Sequence, residues 1–190
     1  MTDVETTTDP LHLSPAELEA GLDEIHDAPK DGGSVELIAR RPQEGERELL
    51  QTAELDREVG VVGDRWSMGR SNGRRLNPAT QVTLMSARAA ALVARTRDRW
   101  PLAGDQLYVD LDISEENLPP GTRLSLGSAV LEISHEPHTG CKKFVARFGM
   151  DAMLFVNSPV GRALRLRGVN ARVVEPGTVS VGDAVTKLAA

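Results

Sequence analysis

Cysteine is nearly absent from this chain: among its 190 residues only Cys141 carries a thiol. A single thiol cannot close an intrachain disulfide, so no disulfide framework holds the fold and no oxidising compartment is required. Aromatic residues are also few: Trp66, Trp100, Tyr108, Phe144, Phe148 and Phe155. The core must therefore rest on Val, Leu, Ile and Ala. An excess of positive charge is missing too. The formal net charge of −6 argues against a nucleic-acid partner, which needs a basic footprint. It leaves room for a local basic pocket. No apolar run approaches membrane-spanning length, and no basic start followed by an apolar stretch suggests a signal peptide. The expectation is a cytoplasmic protein with neither membrane nor nucleic acid as partner.

What is present reads as one domain behind a short extension. Residues 1–33 form the extension, which starts polar and Thr-rich over Met1 to Pro10. A short helix is expected over 14–27. Ser14 is a good N-cap, Pro15 suits the first helical position, and Glu17 completes a capping box. Leu13 and Leu18 have the spacing of a hydrophobic staple, and Leu18, Leu22 and Ile25 make an apolar stripe. Pro29 and the "DGG" at 31–33 end it.

From Ser34 the pattern turns to period two. "SVELIAR" alternates, with Val35, Leu37 and Ala39 expected to face inward. "QVTLMS" at 81–86 puts Val82 and Leu84 on one face, then runs into an Ala-rich helical stretch for which Ser86 is a cap. "QLYVDLDI" places Leu107, Val109, Leu111 and Ile113 together. "TRLSLG" and "SAVLEIS" read as a hairpin joined at Gly127–Ser128. "KKFVARFGMDAMLFVN" is helical in part, with Phe144 and Phe148 one turn apart, and the last stretch reads as two closing strands around a Pro-Gly turn. The fold class expected is mainly β with a few helices, an α+β chain whose barrel-like domain occupies residues 34–188. The segment "GDRWSMGRSNGRRLNPAT" is expected to be a long mobile loop.

Three constellations could carry chemistry. Cys141 is followed by Lys142 and Lys143, with Arg147 a turn further on. Cations and a helix N-terminus both lower a thiol's pKa, and the thiolate is the form that attacks sulfur or binds a soft metal. A buried structural cysteine is the competing reading. His135, His138 and Cys141 also spell a loose zinc set, or a Cys–His pair with His138 as base. Arginines gather in two stretches: Arg65, Arg70, Arg74 and Arg75, then Arg162, Arg165 and Arg167. Guanidinium groups hold phosphate or carboxylate in bidentate fashion, and a solvated face is the alternative. Gly63–Asp64 and Gly182–Asp183 read as turns.

The pieces "GVVGDRW" at 60–66, "QVTLMS" at 81–86, "GDQL" at 104–107, "PPGTRLSLGSAVLEIS" at 119–134, "GCKKF" at 140–144 and "GTVSVGDAV" at 177–185 run in one order. Together they resemble the MOSC family, the C-terminal domain of molybdenum-cofactor sulfurases, also found as stand-alone bacterial proteins. The resemblance implies a barrel-like β fold and work with sulfur or with the molybdenum (molybdopterin) cofactor. It implies that Cys141 ligates molybdenum or carries sulfur, and that Lys142, Lys143, Arg147, Arg165, Arg167 and Arg65 hold the pterin phosphate. Reduction of N-hydroxylated compounds is one activity of the family. Pyridoxal phosphate is not expected from this chain alone, because it has no room for a desulfurase domain, and electrons or sulfur would come from a separate donor protein. Gly140, Trp66 and "GDQL" stand where the family commonly has Pro, His and "GENL". The alternative to an enzyme is a non-catalytic module binding a small anionic ligand or a protein partner.

Overall fold

A computed structural model describes residues 11–70 and 76–189. Two short helices, α1 (Pro15–Ala20) and α2 (Leu22–His26), open the described chain. The capping box at Ser14 is formed: the hydroxyl accepts from the Glu17 amide, and the Glu17 carboxylate accepts from the Ser14 amide at 2.8 Å. Strands β1 (Gly33–Arg40), β2 (Glu48–Leu50), β3 (Thr52–Asp56), β4 (Gly60–Val61) and β5 (Val82–Ser86) follow. Helix α3 (Ala87–Ala94) then connects to β6 (Leu107–Asp110), β7 (Arg123–Leu126) and β8 (Ala129–Ile133). Next come α4 (Lys142–Asn157) and α5 (Pro159–Ala163), and the chain finishes with β9 (Val169–Glu175), β10 (Gly177–Ser180) and β11 (Ala184–Lys187).

Seven strands close into a barrel in the order β1-β6-β5-β9-β8-β7-β11, with β11 returning to β1 through Gly33↔Val185 and Ser34↔Ala184. Strand β2 continues the sheet on the far half of β1. All pairings are antiparallel except β5 with β6, whose parallel register needs the crossover that α3 supplies. The expected hairpin is present, with Leu126 opposite Ala129 and Gly127 at φ 56. The closing stretch differs from the two strands expected: β10 leaves the barrel to pair with β3 in a separate sheet that also holds β4. Three strands therefore stand there, because the Pro176–Gly177 corner redirects the chain before β11 rejoins the ring.

Alternation along the strands sorts the apolar residues into two cores. Val35, Ile38, Val82, Leu84, Leu107, Val109, Leu111 and Ile113 pack with others inside the barrel. Leu37, Ala39, Met85 and Tyr108 face outward and pack under α1 to α4. Leu37 and Ala39 thus do not share a face with Val35. The register with β6 slips between Val35 and Leu37, and this bulge turns the later residues over. Aliphatic side chains do most of the filling, each contributing roughly 1.5–3 kcal/mol when fully buried. Tyr108 is wholly buried with its hydroxyl donating to the Trp100 carbonyl at 2.7 Å. The stretch from Gly63 to Thr80 contains short 3₁₀ turns at Ser67–Arg70 and Pro78–Thr80, and Arg74 and Arg75 lie outside the described residues. Among the described residues no helix is long and apolar enough to cross a membrane.

Candidate functional site

Helix α4 sets the site. Its first turn is preceded by a loop containing Pro137 and Gly140, and Cys141 is its N-cap in extended conformation (φ −130°, ψ 179°). The Cys141 carbonyl accepts from the Phe144 and Val145 amides at 2.8 and 3.1 Å, while its thiol is exposed. Phe144 and Phe148 are buried, their rings 4.8 Å apart, and fasten this turn to the outer core. Burial raises the thiol's pKa, but the Phe144 and Lys143 amides, then Arg167 and Arg147, oppose it and leave the thiol below its ordinary value. The partial positive charge of a helix N-terminus acts in the same direction.

Arg167 is held rigidly. Its guanidinium donates to Asp105 Oδ2 at 2.6 Å and to the Ala103 carbonyl at 2.8 Å, and lies 5.3 Å from the centre of the Phe144 ring. Asp105 is fully buried, so the ion pair is fixed in place, its guanidinium against Phe144 in the first turn of α4. The other Asp105 oxygen is 3.4 Å from His138 Nδ1, and neither atom has a hydrogen bond. Burial first, then Arg167 and Arg41, hold the His138 pKa down at about 4 against the opposing pull of Asp105. At neutral pH His138 is therefore uncharged.

Around Arg147, arginines from distant parts of the chain come within electrostatic reach of one another. Arg41 is clamped by buried Asp64, its Nε and Nη2 each donating at 2.9 Å, and the same carboxylate accepts from the Trp66 amide. Arg47 donates to the Pro101 and Glu46 carbonyls, and Arg147 to the Leu102 carbonyl. Neither has a carboxylate partner among the described residues. Burial, then repulsion from Arg147, Arg41 and Arg65, pulls the Arg47 pKa down. A half-buried positive charge left without a counter-ion is what an anion would relieve.

The residues expected from the sequence fall into separate groups. Arg147 and Arg167 act on the thiol. Lys143 and Arg65 instead meet at Glu44, at 2.6 and 4.0 Å. Lys142 is exposed. Arg165, at φ 51°, donates to the Leu118 carbonyl and lines a cleft of about 340 Å³ with Glu115, His138 and Arg162. His135 is 80% exposed and sits 3.5 Å from Glu136. Among the described residues no three His, Cys, Asp or Glu side chains group to hold a metal, so the His135–His138–Cys141 zinc set does not form. Arg41, Arg47 and Asp105 carry no site signal of their own in the sequence. Each lies far along the chain from Cys141 and outside any motif that would mark it, except that Asp105 falls in "GDQL".

Residues 74–186 match the family described as MOSC domain. The chain belongs to the MOSC domain family. That family is associated with molybdenum-cofactor sulfurases. No curated protein matches this MOSC chain. Among solved structures it is similar to YuaD from Bacillus subtilis, at 17% identity and TM-score 0.56, over 80% of this chain and 93% of that one. It is similar to YiiM from Escherichia coli, at 20% identity and TM-score 0.54, over 83% of this chain and 70% of that one. A hypothetical protein matches at 19% identity and TM-score 0.58, over 84% of this chain and 68% of that one. At these identities the likeness is one of fold.

Proposed function

We propose that this MOSC domain handles sulfur or the molybdenum of a molybdopterin cofactor through Cys141, as metal ligand or as carrier of a persulfide. One observation carries the reading: an exposed thiol caps α4 where backbone amides, Arg167 and Arg147 favour its ionised form. A thiolate is a soft ligand and a sulfur nucleophile. The residues present fit the cofactor in one respect: Arg47 and Arg147, without a carboxylate partner among the described residues, offer charge suited to a phosphate group. Lys142, Lys143, Arg65, Arg165 and Arg167 stay in the proposed cofactor-binding set on the family resemblance, with Lys143 and Arg65 paired to Glu44, Arg165 on a separate cleft and Arg167 paired to Asp105. When bound, the cofactor supplies two-electron exchange at its metal; the protein supplies the thiolate, the anion contacts and orientation. The substrate is a small molecule, an N-hydroxylated compound being one candidate, and electrons come from a separate protein. In the sulfur-carrier version, the Cys141 thiolate attacks the outer sulfur of a donor protein's persulfide. The new S–S bond forms at Cys141 as the old one breaks, and the donor leaves as a thiolate.

The test is purification from a molybdopterin-producing host, with metal measured by mass spectrometry and pterin by fluorescence, for wild type and Cys141→Ser. Loading that depends on Cys141, or a one-sulfur mass gain at Cys141 after exposure to a persulfide donor, supports the reading. Absence of metal, pterin and persulfide rejects it. Arg47 and Arg147, without a carboxylate partner among the described residues, also favour a second reading, a non-catalytic module for a small anion. There Cys141→Ala keeps pyrophosphate binding while Arg47→Gln abolishes it, and no metal or pterin accompanies the protein.

A further inference from the structure

The peptide just before Cys141 is a glycine, the residue with the greatest backbone freedom. Left to itself, Gly140 would let the thiol wander off the first turn of α4. The far end of the same helix prevents this. Gly149 has φ 87° and ψ 167°, which is not helical, and it divides α4 into two limbs. The second limb returns toward the start of the first, so Asn157, the last helical residue, lies against Gly140. The Gly140 amide donates to Asn157 Oδ1 at 2.9 Å, and Asn157 Nδ2 donates back to the Gly140 carbonyl at 3.3 Å. Asn157 Nδ2 is also 3.2 Å from Met153 Sδ, which fixes the amide's orientation. A Cβ at position 140 would stand 3.2 Å from Asn157 Nδ2 and Val156 Cγ2 and 3.3 Å from Met153 Cγ. A side chain there would press these neighbours aside by a few tenths of an ångström.

We propose that Asn157 is the positioning residue for Cys141: its side-chain amide grips both polar groups of Gly140 and thereby holds the thiol at the α4 N-terminus. The functional consequence rests on the reading of Cys141 as the working residue. The geometric statement does not depend on a metal or a cofactor. The clamp also ties the thiol to the bend at Gly149, since the second limb must fold back for Asn157 to arrive.

The test uses the fact that Cys141 is the sole cysteine, so alkylation by iodoacetamide reports one thiol. The alkylation rate of the full chain is measured from pH 5 to 9 for wild type and Asn157→Ala. If the clamp holds the thiol at the helix dipole, the midpoint of Asn157→Ala moves up by about half a pH unit. The rate on the acidic side then falls about threefold. In parallel, hydrogen exchange on wild type reads the Gly140 amide, which the clamp protects. A folded Asn157→Ala whose profile overlays that of wild type overturns the inference. A Gly140 amide exchanging at the rate of an unprotected peptide overturns it as well, even if the variant does not fold. The two proposals fail differently. A wild-type midpoint at or above that of free cysteine, about 8.5, counts against the thiolate reading. A low wild-type midpoint that Asn157→Ala leaves in place counts against the clamp alone.

Discussion

Lowering the pH from 7.5 to 4.5 should expose the cost of keeping His138 neutral. Its pKa in the folded chain is about 4, against about 6.5 for an unfolded histidine. Between those values the unfolded chain binds a proton that the folded chain refuses, so stability declines as pH falls through that window. Above about pH 6.5 the contribution is complete, and below about pH 4 no more is lost. The full span corresponds to about 3 kcal/mol, of which about 2 kcal/mol is gone by pH 5. With 18% of the side chain exposed, solvent takes little from this figure. The groups facing the ring are Arg167 and Arg41, which repel its proton, and Asp105, which attracts it. Urea unfolding of wild type and His138→Gln at pH 7.5, 6 and 5 isolates the effect. Glu17, Asp31, Glu44 and Glu132, whose pKa values are lowered by their hydrogen-bond partners, contribute equally to both proteins. Wild type should lose ground on acidification relative to the variant. A stability difference that does not change with pH, or a His138 ring that titrates by NMR at 6.5 or higher, would refute the placement of Arg167 and the buried ring edge.

Three further outcomes follow from the same geometry. Asp64→Ala removes the fully buried acceptor of Arg41 and the Trp66 amide, and strands a mostly buried guanidinium; unfolding in urea should show a loss of about 3–5 kcal/mol. Arg147→Gln takes a cation from the thiol's surroundings, so iodoacetamide at pH 7 should react with Cys141 more slowly than in wild type, by less than about twofold because Arg147 is the weakest of the named influences. Gly149→Ala forces a side chain onto a residue at φ 87°, with its Cβ 3.0 Å from the His12 ring; thermal denaturation should report a loss of about 1–3 kcal/mol.

Local rules made much of the fold readable. The Ser14–Glu17 capping box, the Gly127–Ser128 hairpin and the inward faces of β5 and β6 rest on neighbours in sequence, and all formed. The bulge after Val35 was not readable, because a one-residue slip in register leaves the apolar alternation of the segment intact while reversing its faces. The departure of β10 from the barrel was hidden for a similar reason: its composition suits either sheet, and only pairing with β3 decides. At the site, Cys141, Arg147 and Arg167 could be named from residue type and spacing. Arg41 and Arg47 could not, since only the fold brings Arg47 within reach of Arg147 and Arg41 within reach of His138. Lys143 and Arg65, legible as cations, turn out to share the carboxylate of Glu44. Sequence shows where a charge is, and not which opposite charge it will find.

The ring of strands is completed by β11 against β1, one of the last elements of the described chain against one of its earliest. During synthesis, then, β2 can cover the far half of β1 early, while its Gly33–Ser34 end must wait until the other strands of the barrel have been made. Non-local pairing of this kind slows folding and exposes an open edge to other chains. A version shortened before Ala184 should leave that seam gaping and be lost to aggregation, although the residues around Cys141 would be untouched.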